Sequence, residues 1–377
     1  MKQLLQIIIL LGFTTFLNGQ NLDVFQTGQI SKKKFTDTIW VKGNDYIVLP
    51  IQINGVEKLY MFDTGADLMV SSDFDSTTLS QFKMNVSDIN GLTTTKDLHR
   101  IKSIFINSVE IKDMFSIDLE LPEPFRCFAD GIIGNNLIKS LNWKIQKDNI
   151  ILSNQKIKYN NQKVLKTFSY GANCLYVNSK INGVNIDSCL IDYGGLYEVN
   201  LPLTMYSNNL IDFENTNKYQ FVKSSYGAHG KGKVDTVIIA NCDIEFNGIK
   251  INNVNVTFSN RPEKQIGILF LKRFQSIVLD NAHDKIAFGE LDMQNRGSRI
   301  YNYDFDLIEG KFVIKNAILK DEVLIKYGDE FININNKSSD SFISYCEFLK
   351  WRKNLMENEY IELIKNNGEK LRIKNWH

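Results

Sequence analysis

Leu59-Tyr60-Met61-Phe62-Asp63-Thr64-Gly65-Ala66 decides how this chain is read. Four apolar residues run into an acid, a small hydroxyl and a glycine, so a strand rooted in a core ends on a carboxylate. It is the return arm of a hairpin. Asp45-Tyr46-Ile47-Val48-Leu49-Pro50-Ile51-Gln52-Ile53 alternates as a strand, and Asn54-Gly55 is a pair that favours tight two-residue turns. The order then repeats. Cys174-Leu175-Tyr176-Val177 leads to Asn182-Gly183, and the arm Cys189-Leu190-Ile191 reaches Asp192-Tyr193-Gly194-Gly195. Val70 and Val199 each lie seven positions past their aspartate.

The parallel continues downstream. Ile132-Ile133-Gly134 places its glycine 71 residues after Asp63, and Ile266-Gly267-Ile268 places its own 75 after Asp192. Each is followed by a short apolar segment and a hairpin, Trp143–Ile145 to Ile150–Leu152 and Ile277–Asp280 to Lys285–Gly289. Repetition at this period, with short alternating strands and Asn-Gly turns, predicts an all-β chain of two similar lobes, residues 30–157 and 158–295, joined by the polar stretch Asn154–Lys163.

From about Asn302 the pattern changes. Lys311–Ile314 and Gly328–Asn335 read as strands. A helical stretch follows with Phe342, Tyr345, Cys346 and Leu349 on one face and Asp340 or Ser341 as its cap, and a hairpin turns at Asn367-Gly368. Residues 302–377 are thus expected to form a third, small α+β domain.

Composition narrows the function classes. Forty-four basic against 43 acidic residues leave a formal charge of +1 without long runs of one sign, which gives no footprint for nucleic acid. Four scattered histidines, with no His-Glu-x-x-His or paired Cys-x-x-Cys, give no metal site, and no cofactor motif is present. Gly227 to Lys233 imitates a phosphate-binding loop, but Val234 follows the lysine and a strand continues where a helix is required. Five cysteines are too few for a disulfide framework. Buried thiols are expected, with Cys174 and Cys189, on opposite arms of one hairpin, the pair placed to bridge. At the N-terminus, Lys2 and the apolar Leu4–Leu17 before Asn18-Gly19 read as a signal peptide over residues 1–19. The stretch is too short for a stable membrane span, and an exported protein is expected.

Two carboxylates facing each other cannot both be charged, so one keeps its proton and donates while the other accepts from water. Asp63 and Asp192 are the candidates. Phe62-Asp63-Thr64-Gly65-Ala66 with Ile132-Ile133-Gly134, and Ile191-Asp192-Tyr193-Gly194-Gly195 with Ile266-Gly267-Ile268, resemble the two halves of bacterial two-lobed aspartic peptidases related to pepsin and the retroviral enzymes. The resemblance covers about Phe35 to Gly289. It implies a bilobal pepsin-like fold of two β-barrel lobes, an extended peptide substrate between them, Asp63 and Asp192 as catalytic residues, and Thr64, Gly65, Tyr193 and Gly194 as their support. It also implies flaps around Asn90-Gly91 and around Ser225–Gly230, with Tyr226 or His229 leaning over substrate. Tyr193 departs from the family, which carries Thr or Ser there, and a phenol cannot make the same cross-lobe bond to Thr64. A peptide-binding protein of the same fold without turnover is therefore the second reading. Residues 302–377 resemble a PDZ domain, which implies a peptide groove between the helix and the Lys311–Ile314 strand.

Overall fold

The computed structural model describes residues 27–43, 45–72, 82–88, 90–159, 162–167, 174–208, 210–211, 216–246, 248–293, 297–319 and 325–376. The expected signal peptide lies outside these residues. Among them no helix is long and apolar enough to cross a membrane.

The repeat in sequence is a repeat in topology. One six-stranded barrel closes in the cyclic order Val48–Ile53, Val56–Phe62, Gly131–Ile133, Met69–Ser71, Val109–Asp118 and Thr93–Ile106. The other closes in the same order with Tyr176–Ile181, Val184–Asp192, Gln265–Gly267, Val199–Pro202, Ile249–Ser259 and Asp235–Phe246. Both Asn-Gly turns form: Asn54 and Gly55 have φ of 53° and 81°, and Asn182 and Gly183 45° and 81°, the left-handed conformation a tight hairpin turn requires. The strand before each aspartate pairs in parallel with the short glycine-bearing strand, Phe62 beside Ile133 and Asp192 beside Gly267. That pairing is the physical origin of the matched 71- and 75-residue spacings.

The hairpins that follow do not close each lobe separately. They join in a six-stranded sheet, Lys163–Lys166, Lys285–Phe288, Ser276–Asp280, Asn142–Gln146, Asn149–Ser153 and Thr36–Trp40, in which Trp143 pairs with Leu279 across the halves. Phe62, Trp143 and Tyr193 meet edge to face at 5.2 and 5.6 Å in one core that runs through both barrels and this sheet. Each such aromatic pair contributes about 0.5–1.5 kcal/mol beyond its buried area. The halves are therefore held as one body, with the two aspartate-bearing strand ends brought together.

The C-terminal module is sewn onto the second barrel. Its hairpin Tyr303–Ile308 and Lys311–Ile318 extends that barrel's sheet through Lys218–Lys223, Phe221 pairing with Ile318, and Phe221 and Val237 share a core with Phe305, Phe312, Phe331 and Phe348. A second sheet, Lys337–Ser338, Asn333–Ile334, Tyr360–Ile364 and Lys370–Lys374, and the helix Tyr345–Met356 complete it.

Three expectations are corrected here. The Lys311–Ile314 strand cannot accept a peptide by strand addition, because Tyr303–Ile308 occupies one edge, while Glu330–Phe331 and the bonds between Ile314 and residues 328–329 occupy the other. The helix is capped by Ser344, whose side chain accepts from the Glu347 amide, while Asp340 and Ser341 sit in a separate 3₁₀ turn. Glu347 in turn accepts from the Ile343 amide, a reciprocal arrangement readable in Ser344-Tyr345-Cys346-Glu347. Finally, Cys174 and Cys189 are free and buried. The disulfide is Cys127–Cys346, between the first lobe and the C-terminal helix, 219 residues apart.

Candidate active site

Asp63 and Asp192 meet at the junction of the two barrels, and their carboxyls hydrogen-bond to each other. The surroundings are nearly two-fold. Gly65 N donates to Asp63 Oδ1 at 2.7 Å and Gly194 N to Asp192 Oδ1 at 2.9 Å. Each motif glycine also makes room for the opposite carboxyl. A Cβ on Gly194 would lie 2.3 Å from Asp63 Cγ, and one on Gly65 would lie 2.8 Å from Asp192 Oδ1. Any side chain at either position would push the pair apart. Asp63 stays partly open to solvent and Asp192 is 4% exposed.

The cross-lobe bond survives on one side. Thr64 Oγ1 donates to Ile191 O at 2.6 Å and accepts from Tyr193 N at 3.0 Å, so one buried hydroxyl ties both strand ends together. Tyr193 does not return the bond with its side chain, in line with its size. Its ring is buried in the inter-lobe core against Phe62, and its hydroxyl has no hydrogen-bond partner among the described residues. The backbone amide takes over part of what a small hydroxyl would do.

Electrostatics separate the two acids. Burial, and then the neighbouring Asp192 charge, push Asp63 up to about 8. Burial raises Asp192 as well, but its partners oppose this: Tyr197 Oη donates to Oδ2, Gly194 N to Oδ1, Asp63 donates from across the interface, and the Arg261 guanidinium is close by. Tyr197 and Arg261 were missed in sequence. Tyr197 occupies the place that Leu68 holds in the first repeat, five past the aspartate, and this mismatch was the available signal. Tyr46 is also nearby. Burial and the charges of Asp45, Asp192 and Asp63 raise its phenol, and Arg352 of the C-terminal helix opposes them. The third module thus reaches the surroundings of the acid pair.

The four flap candidates divide. Asn90 and Gly91 form the tip of the hairpin between Phe82–Ser87 and Thr93–Ile106, and His229 lies at the tip of the small hairpin Tyr226–Gly227 and Gly230–Lys231. These tips touch. Ser225 Oγ donates to Asn90 Oδ1 at 2.8 Å, His229 N to Asp88 Oδ2 at 3.2 Å, and Arg261 Nη2 to Ser225 Oγ at 2.9 Å. Tyr226 turns away from the tips. Its hydroxyl donates to the buried Asp306 at 2.9 Å, which also accepts from Tyr345, so the second-lobe hairpin is tied to the C-terminal module.

Among the described residues no group of three or more His, Cys, Asp or Glu is arranged to hold a metal ion. No protein-family model matches the sequence, and comparison with curated proteins returns no match. The functional reading therefore stands on the residues and their geometry.

Proposed function

We propose that this protein is an aspartic-type endopeptidase of bilobal, pepsin-like architecture with a PDZ-like C-terminal module, hydrolysing extended peptides by water activation between Asp63 and Asp192. The observation that carries the proposal is the hydrogen-bonded carboxyl pair, held by mirrored glycine amides at the meeting point of two barrels of identical strand order. A water bound between the carboxyls loses a proton to the ionised acid as its oxygen attacks the scissile carbonyl carbon, while the protonated acid donates to the carbonyl oxygen. No covalent enzyme intermediate is needed. The proton is returned to the leaving amine when the tetrahedral species collapses.

The apposed hairpin tips support a substrate held beneath them in extended form. The disulfide Cys127–Cys346 supports function in an oxidising compartment, in agreement with an exported protein. The engaged edges of Lys311–Ile318 argue against a peptide seated on that strand, which leaves the third module the role of a wall and brace for the second lobe.

The test is incubation of the purified mature protein with an unfolded polypeptide between pH 3 and 8, with products read by mass spectrometry. Internal cleavage is expected. Complete absence of cleavage across that range sinks the proposal and favours the second reading, peptide binding without turnover, to which the Tyr193 substitution points.

A further inference from the structure

The acid pair is symmetric in its glycines and asymmetric in one hydroxyl. Tyr197 and Leu68 occupy matching places, each five residues beyond an aspartate. Leu68 is buried and brings nothing polar to Asp63, whereas Tyr197 Oη donates to Asp192 Oδ2. We propose that Tyr197 is a positioning residue that fixes the charge of the pair, holding Asp192 as the ionised acid that takes the proton from water and leaving Asp63 as the proton donor to the carbonyl oxygen. This rests on the peptidase reading above and goes beyond it by giving the two acids different roles.

The tyrosine is clamped where it stands. Gly195 has no side chain because a Cβ there would lie 2.3 Å from the Tyr197 Cζ. Tyr197 N donates to Gly195 O at 3.0 Å and its carbonyl accepts from Leu269 N at 3.2 Å. The next residue, Glu198, is buried in an ion pair with Arg273 at 2.6 Å and accepts from Asn255 N at 2.6 Å, and its own carbonyl accepts from Gly267 N at 2.8 Å. A phenol anchored this firmly presents its proton to one oxygen only.

The remaining groups around the pair act in the same sense. Asp192 faces Gly194 N and Tyr197 from its own turn, Asp63 and Gly65 from the first lobe, Arg261 from the segment after Ile249–Ser259, and Tyr46 from the segment before Val48–Ile53. Asp63 faces Asp192, the amides of Gly65 and Ala66, Tyr46, and the buried Cys174 thiol. Three hydrogen bonds and a nearby guanidinium favour charge on Asp192. Asp63 has two amides and a carboxylate neighbour that disfavours its charge. A hydrogen bond to an ionised group is stronger than one to a neutral group, so losing the Tyr197 hydroxyl raises the pKa of Asp192 most.

The experiment is the pH profile of kcat/KM for wild type and Tyr197→Phe, together with a carboxyl-¹³C NMR titration of both proteins labelled at aspartate. In Tyr197→Phe the acid limb and the lower-pH carboxyl step should both move up by about one to two pH units. On the acid limb itself, kcat should fall about tenfold or more at a given pH, with KM within about threefold. Tyr197→Leu, which copies the residue at the matching place, should do the same and serves if the phenylalanine variant does not fold. Superimposable profiles and titrations overturn the inference. If wild type cleaves nothing, the peptidase reading fails, yet the titration still decides whether Tyr197 sets the charge.

Discussion

Tyr193 occupies the place where a cross-lobe hydroxyl was expected, and its hydroxyl is buried without a partner among the described residues. What the position supplies is a backbone amide to Thr64 and a ring to the inter-lobe core. Tyr193→Phe should therefore be as stable as wild type or more stable by about 1 kcal/mol, because it removes an unsatisfied buried group. Tyr193→Thr should cost about 3 kcal/mol or more from the space left beside Phe62. Urea denaturation of the two variants checks both values, and a gain of activity in Tyr193→Thr would mark a decayed site.

Asp63 carries a second prediction at this scale. The folded state holds its proton up to about pH 8, whereas the unfolded chain releases it near 3.8. The stability tied to that proton is fully present below pH 3.8 and is lost as pH rises through about 8. Asp63→Asn lacks this loss, so its melting temperature relative to wild type should climb steadily from pH 4 to pH 8. A constant difference across that range would show that Asp63 does not hold its proton in the folded state.

Among the elements, the hairpins were readable because Asn-Gly turns and alternating apolar residues are local signals, and the strands around Asn54-Gly55, Asn182-Gly183 and Asn367-Gly368 form as expected. The helix was readable but its cap was placed at Asp340 or Ser341 instead of Ser344, because all three are chemically able and only the Glu347 partner selects among them. The flap tips were placed by analogy between repeats, yet Tyr226 points to Asp306, a contact between segments 80 residues apart that no local pattern encodes. The tip-to-tip latch gives a prediction of its own. Asn90→Ala removes the acceptor for Ser225 and should raise the opening equilibrium of both hairpins about fivefold, corresponding to about 1 kcal/mol. Faster hydrogen exchange in residues 82–88 and 225–231 would report it, and unchanged exchange would show that the tips are held by other contacts.

Over the whole molecule, the two-barrel plan followed from the repeat, but the way the halves are fastened did not. The shared six-stranded sheet needs strands from both ends of each repeat, and the Cys127–Cys346 bond joins residues 219 positions apart. Counting cysteines could not select that pair, since the choice depends on where the C-terminal helix docks. With the C-terminal hairpin continuous with the second barrel's sheet and the helix bonded to the first lobe, the third module braces one lobe against the other. Reduction should lower unfolding stability by about 2–5 kcal/mol without dissolving the fold, and the Cys127→Ser variant should match the reduced protein. Equal melting of oxidised and reduced protein would remove this brace from the account.

The most direct test of the account is cleavage of one unfolded polypeptide across pH 3 to 9 by wild type, Asp63→Asn and Asp192→Asn. The account predicts a bell-shaped profile for wild type, falling on the alkaline side as Asp63 loses its proton near pH 8, and a loss of about 10²–10⁴-fold in each variant. Cleavage that persists at the wild-type rate in either variant would contradict a single proton-sharing pair.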